Sequence, residues 1–312
     1  MLESKNGIIG AAIGDAMGLP VQFNDREYFK AHPVTKMLGH MCFNMPEGSW
    51  SDDTSMTLAT VDAIIKDKEI NTKTIADNFV KWLKENEFTP TGKAYDVGGT
   101  CMKAVLKYAR GVDKAEECGL TGEMDNGNGS LMRIIPVAYY CNAKNLPEEE
   151  IYEVVKKVSS ITHGHEIAVM GCFMYVMFAI NLLKGDTLDE VYQKIKVIEY
   201  GKHFSDYAIS KYDRIINHNI GDYDVDSINS SGYVLDTLEA ALWSLFNTES
   251  YDAAIIKAIN LGLDTDTVGA CTGGLAGIYY GLDSINEDWK KTLIKYDYIE
   301  EMCEKFDEAL EL

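Results

Sequence analysis

The sequence predicts an all-α fold built as one domain over residues 1–312. Apolar residues recur at three- and four-residue spacing along most of the chain, the signature of amphipathic helices. Period-two alternation, the mark of half-buried strands, is scarce. Two acidic, oxygen-rich clusters at 51–54 and 264–267 read as halves of one site, which requires the two ends of the chain to fold together.

Taken in order, Gly7, Gly10, Gly14 and Gly18 lie at helical spacing near the start, and Gly269, Gly273, Gly277 and Gly281 repeat every fourth residue near the end. Glycine costs roughly 1 kcal/mol per helix position relative to alanine, so the placement predicts two helices packed backbone to backbone, more firmly for the later set. Thr74 is the expected cap of a helix carrying Ile75, Phe79 and Leu83. Pro147 with Glu148, Glu149 and Glu150 forms a first turn suited to the helix dipole. Thr187-x-x-Glu190 is a capping box ahead of Leu188, Val191, Ile195 and Ile198. Residues 201–230, polar and aromatic with little periodicity, read as an insertion or long loop. Leu235, Leu238, Leu242 and Leu245 mark a further helix, and Ala254, Ile255, Ala258 and Ile259 the next.

Composition bounds the function. With 46% hydrophobic and 25% charged residues, the chain reads as an ordinary soluble globular protein. Forty-nine acidic against 29 basic residues give a net charge of -20, a field that repels nucleic acid and anionic membranes as partners. An anionic small ligand stays compatible, because bound cations and helix N-termini reverse the field locally. The start lacks the basic and apolar regions of a secretory signal, and no run reads as long and apolar enough to span a bilayer. Seven cysteines without paired CxxC spacing point to free thiols in a reducing cytoplasm. A monomer is expected.

Ser51-Asp52-Asp53-Thr54 presents hard oxygen donors of the kind Mg²⁺, Mn²⁺ or Ca²⁺ prefers. Taken alone, it reads better as a helix N-cap, with Ser51 capping and the aspartates facing the dipole. Asp264-Thr265-Asp266-Thr267 offers the same two readings. Taken together, two such helix starts suit a binuclear centre with cations ~3.5–4 Å apart. Gly127-Asn128-Gly129-Ser130-Leu131-Met132-Arg133 combines free amides with an arginine, a cradle for phosphate or ribose hydroxyls. It lacks the third glycine and preceding strand of a dinucleotide fingerprint. Asp96-Val97-Gly98-Gly99-Thr100 is either a second turn of amides or an ordinary glycine turn. Thr162-His163-Gly164-His165 has no cysteine partners for zinc, which favours loop or ligand-contact histidines.

These motifs, with Gly14-Asp15-Ala16-Met17-Gly18 and Asn260 through Gly269, resemble in order those of the ADP-ribosylglycohydrolases, which include the hydrolase that reactivates dinitrogen reductase and the ADP-ribosylarginine hydrolases. The resemblance runs from about residue 6 to about 282. It implies a compact orthogonal helical bundle with two Mg²⁺ or Mn²⁺ ions in a central cleft. Ser51, Asp52, Asp53, Asp264, Asp266 and Thr267 would be the metal ligands, and Asp52 or Asp53 would orient or deprotonate the attacking water. Asp96, Gly98, Thr100, Gly127, Asn128, Gly129, Ser130, Arg133, His163 and Tyr233 would hold ADP-ribose. The expected substrate is an ADP-ribosylated protein, with arginine the default acceptor, or a small-molecule conjugate, and ADP-ribose is the product.

Gln22 stands where many members carry a metal-reaching glutamate, and Leu263 replaces a glycine common before the D-T-D unit. Ser51, where threonine is frequent, keeps the hydroxyl. Gln22 leaves open a non-catalytic ADP-ribose or metal-binding homologue, and a hydrolase of a small nucleotide-like metabolite is a third reading.

Overall fold

Helix α1 (Ser4–Gly18) lies against the helix that begins at Thr265, and glycine sets how closely the two approach. A Cβ on Gly10 would overlap the Gly273 carbonyl, one on Gly14 the Gly269 carbonyl, and one on Gly18 the backbone of Thr265 and Asp266. Both glycine sets therefore mediate backbone contact, the earlier one as fully as the later. Gly7 differs in donating its N–H to the Tyr139 hydroxyl. Gly281 does not belong to the helical stripe: it ends the helix with φ +81°, a left-handed terminator that glycine adopts without steric cost.

The computed structural model describes residues 3–311 as a single helical domain. After α1 come α2 (Arg26–Ala31), α3 (Asp52–Asp67), α4 (Thr72–Glu85), α5 (Gly99–Tyr108), α6 (Ile135–Ala143), α7 (Glu148–Ser159) and α8 (Glu166–Leu183). The remainder comprises α9 (Leu188–Lys196), α10 (Asp206–Lys211), α11 (Asp213–Ile216), α12 (Val234–Phe246), α13 (Tyr251–Ile259), α14 (Thr265–Tyr280), α15 (Glu287–Thr292) and α16 (Tyr296–Leu310). Among the described residues, extended pairing is limited to the isolated bridges Leu120 to His163 and Gly127 to Tyr233. Both tie together loops that carry candidate site residues.

Helix α8 overturns one expectation. Its 18 residues have a mean hydropathy of 1.9, enough in length and composition to cross a bilayer. It is instead a core helix, 83% buried, packed by α6, α7, α9, α12 and α14, and a helix apolar all round must be covered on every side.

Side-chain caps set the start of half of the helices. The Thr187 capping box forms, with Glu190 N–H donating to Thr187 Oγ1 and Thr187 N–H to Glu190 Oε2. Asn71, not Thr74, caps α4 by accepting from the Lys73 N–H at 3.1 Å. Thr74 sits inside the first turn and donates to Asp67. Residues 201–230 are more ordered than a loop. They form α10, α11 and several single turns whose Ala208, Tyr212, Ile215, Ile220 and Ile228 enter the core. Helices this short carry too few turns to show a period.

Candidate active site

Asp15 projects from α1 into the interior. Its carboxylate accepts from Ser51 N–H at 2.9 Å, Thr54 N–H at 3.1 Å and Thr54 Oγ1 at 2.6 Å. Those donors are the free end of α3, so Asp15 fixes the turn that presents Asp52 and Asp53. Within the turn, Ser51 Oγ caps by accepting from Asp53 N–H and donates to Asp53 Oδ2 at 3.0 Å.

The start of α14 meets this turn. Thr267 Oγ1 donates to Asp53 Oδ2 at 3.4 Å, across 214 positions of sequence. Asp264 occupies the N-cap position of α14, yet its side chain makes no capping bond. It accepts instead from Asn128 Nδ2 at 2.5 Å, and the same amide donates to Thr237 Oγ1 at 2.8 Å. The capping alternative therefore holds for Ser51 and fails for Asp264, whose carboxylate makes no cap bond to its own helix.

Electrostatics set this cluster apart from an ordinary pair of helix starts. Burial and neighbouring carboxylates hold Asp52, Asp53 and Asp266 well above the usual carboxylate range, and burial raises Asp264. Burial pushes Asp15 up to about 7, against the lowering effect of its Thr54 and Ser51 donors. Asp53 Oδ1 is buried without a hydrogen-bond partner, and no Lys or Arg lines the pocket. Such acidic crowding is costly unless a cation offsets it. Among the described residues, no three Asp, Glu, His or Cys side chains close on one point. A divalent cation here would therefore also draw on the Ser51 and Thr267 hydroxyls and on water, a mixed oxygen shell that Mg²⁺ accepts.

The pocket over the cluster has a volume of about 220 Å³. Asp52, Asp53, Asp264, Asp266 and Thr267 line it, and Asp96, Gly98, Thr100, Gly127, Asn128, Gly129 and His163 surround them. His163 is held neutral, pushed down to about 3 by burial and by Arg133. Arg133 Nη2 donates to Thr162 Oγ1 at 2.8 Å, and Thr162 Oγ1 lies 2.9 Å from His163 Nδ1. In the tautomer where the threonine hydroxyl, accepting from arginine, donates to Nδ1, His163 Nε2–H is left as a donor toward the pocket.

Four expected site residues lie outside the lining. Arg133 is fully buried, donating to Thr162 and the Val158 carbonyl and standing 4.7 Å from the Phe79 ring centroid. It stands behind the pocket wall, and it connects to the lining through Thr162 and His163. Ser130 points inward to Cys172 and Ser159. Tyr233 is half-buried and contributes a backbone bridge to Gly127. Ser51 acts behind Asp53. The lining also includes Gln22, Phe23, Gly99, Cys101, Met132 and Gly232. Burial pushes the Cys101 thiol up to about 12, away from the thiolate form that a nucleophile uses. Asp15 carried a legible signal, a lone carboxylate in the middle of an apolar helix.

A family model described as ADP-ribosylglycohydrolase matches residues 4–312. This chain belongs to the ADP-ribosylglycohydrolase family. It is 31% identical over 306 residues to an ADP-ribosylarginine hydrolase of Serratia proteamaculans, covering 97% of this chain and 78% of that protein. It is 26% identical over 293 residues to the ADP-ribosyl dinitrogen reductase glycohydrolase of Rhodospirillum rubrum, covering 93% and 90% respectively. A solved structure described as an ADP-ribosylglycohydrolase-related protein complex superposes with a TM-score of 0.81 at 25% identity, covering 99% of this chain and 98% of that one. As an ADP-ribosylglycohydrolase the protein is a glycosidic-bond hydrolase, of a family that is metal-dependent in general.

Two departures from the ADP-ribosylglycohydrolase pattern now have a structural setting. Gln22 is buried and donates Nε2–H to Asp96 Oδ2 at 2.6 Å, a contact that a charged glutamate would turn into repulsion. Leu263 has φ +61° and is 43% exposed. Its backbone exchanges two bonds of 2.7 Å, donating to the Asn24 carbonyl and accepting from Phe23 N–H. A left-handed leucine costs roughly 1–2 kcal/mol, which explains a preference for glycine there. Leu263→Gly should therefore leave the melting temperature unchanged or higher, by up to about 1 kcal/mol of stability once glycine's chain entropy is set against the relief. A lower melting temperature would show that the leucine side chain contributes more than its backbone costs.

Proposed function

We propose that this ADP-ribosylglycohydrolase releases ADP-ribose from modified arginine, using two divalent cations, Mg²⁺ or Mn²⁺. The observation that carries the reading is the meeting of Asp53 with Thr267, around a buried carboxylate oxygen that has no partner. Arginine as acceptor is supported by the ADP-ribosylarginine hydrolase relative. Ser51, Asp52, Asp53, Asp264, Asp266 and Thr267 are the residues that would hold the ions. When bound, such ions polarise ligand oxygens and supply an activated water.

The chain's own residues do the rest. Asp52 or Asp53 orients the attacking water and accepts its proton, while the bond from the ribose anomeric carbon to the guanidinium nitrogen breaks through an oxocarbenium-like state. His163 donates from Nε2–H to a ligand oxygen. Gly98 and Thr100 at the start of α5 offer backbone N–H groups suited to phosphate. A Cβ on Gly129 would crowd Cys101 and His163, so glycine lets those two side chains pack against the loop that carries Asn128. A pocket of about 220 Å³ is smaller than the ~300–1,000 Å³ that encloses a drug-sized ligand. It therefore takes the reacting ribose, with the remainder of ADP-ribose lying outside it. The free cysteines, six of them buried, support a reducing cytoplasmic setting.

The test is ADP-ribose release from arginine, serine and small-molecule conjugates, with Mg²⁺ or Mn²⁺ and then with chelator. Metal-dependent release from the arginine conjugate is expected, and release untouched by chelator defeats the metal assignment.

Stability should carry the same signature. Raised carboxylates such as Asp15 contribute stability below their unfolded value of 3.8, and that contribution is lost as pH rises through the folded value of about 7. A bound cation favours the charged forms. The increase in melting temperature on adding Mn²⁺ should therefore be larger at pH 8 than at pH 5.5, and an increment that shrinks with pH would contradict cation binding at these carboxylates.

A further inference from the structure

Beside the pocket mouth stand aromatic rings that hydrolysis leaves unused. Phe23 lines the pocket and is 66% exposed, and Phe43 is 41% exposed. Their ring centroids are 6.4 Å apart at 65°, and Phe43 lies 5.8 Å from Tyr95. The Tyr95 hydroxyl donates to the Trp50 carbonyl, directly before the acidic turn. Phe23, Phe43 and Asp96 have φ of +70°, +59° and +53°. Bulky residues held in the left-handed region are strained, and such positions cluster where a ligand is gripped. These two phenylalanines gain little from burial. The chain is pinned around them by the bonds between Phe23 and Leu263 and by the Gln22 to Asp96 contact.

We infer that Phe23, Phe43 and Tyr95 form the acceptor subsite and take the guanidinium of the modified arginine by stacking it on the exposed faces of Phe23 and Phe43, which Tyr95 backs, beside Asp96. The inference rests on the arginine reading above and adds what selects arginine. Charge complementarity favours this occupant: five aspartates and no lysine or arginine line the pocket. A guanidinium is planar, weakly hydrated and permanently charged, so it stacks on aromatic rings next to a carboxylate better than an ammonium does. A serine acceptor brings neither the plane nor the charge.

The experiment compares the full-length protein with Phe23→Leu, Phe43→Leu, the double variant and Phe43→Tyr. Leucine keeps apolar volume and removes the aromatic face, while tyrosine restores it. With Mg²⁺ present, kcat/KM is measured on ADP-ribosylated arginine and serine peptides. The arginine-to-serine ratio should fall about tenfold in the double variant, mainly through KM for arginine, and Phe43→Tyr should hold it near wild type. In parallel, agmatine is titrated onto the ADP-ribose-saturated protein, where the double variant should bind it about tenfold more weakly. Equal losses on both peptides, cleavage of serine but not arginine conjugates, or ADP-ribose affinity falling as far as agmatine affinity would overturn the subsite, the last by assigning the rings to adenine. Wild type that cleaves no conjugate would defeat the proposed function. The agmatine titration then still decides the rim, which fails if agmatine does not bind or binds the double variant equally well.

Discussion

Gly14→Val is expected to destabilise the protein by about 3 kcal/mol or more and to take activity with it. A Cβ at Gly14 meets the carbonyl carbon and oxygen of Gly269 and the backbone nitrogen of Ala270. Overpacking a core typically costs about 1–3 kcal/mol because side chains can shift. Here the obstacle is main chain in a buried helix, so relief requires α1 and α14 to separate. That separation would move Asp15 away from the Ser51 to Thr54 turn and the α14 start away from Asp53. The check is the urea midpoint, with Gly201→Ala as comparison because its added Cβ meets nothing within 4 Å and its φ is not in the left-handed range. A Gly14→Val variant that unfolds at the wild-type midpoint would mean that the two helices are not held by glycine contact.

How much of this was legible in sequence follows from how local each signal is. Helix existence is local, and α7, α9, α12 and α13 follow from periodicity and caps alone. The four-residue glycine repeat is local too, and it led to the α1 to α14 contact. A guanidinium in a glycine-rich loop looks the same in sequence whether it faces a pocket or a buried threonine, and only the fold decides that Arg133 donates to Thr162 and stands on Phe79, behind the pocket wall. Ser130, turned toward Cys172 and Ser159, lies off the lining for the same non-local reason. The aromatic rim was invisible because Phe23, Phe43 and Tyr95 come from three loops with no shared period. Asp264 shows the opposite case. The sequence offers both a capping and a ligand reading for it, and the structure removes the capping one, since its carboxylate accepts from Asn128 and makes no cap bond.

Asp53→Ala should lower ADP-ribose release by more than about 100-fold. Partners that merely support a metal ligand cost about 10–100-fold when removed. Asp53 is a candidate ligand itself, joined to Ser51 and Thr267 and carrying the partnerless oxygen. The same substitution should have an unusual effect on stability. Asp53 is crowded by Asp15 and Asp264 and held well above its ordinary range by burial, so at pH 8 without metal its removal relieves repulsion. The metal-free variant should therefore melt no lower than metal-free wild type at that pH, while the rise in melting temperature on adding Mn²⁺ should largely disappear. Activity lost while the metal-free fold is retained separates a site residue from a structural one. If the variant kept the full Mn²⁺ increment, Asp53 would not be a ligand, and the meeting of the two helix starts would need a different chemical purpose.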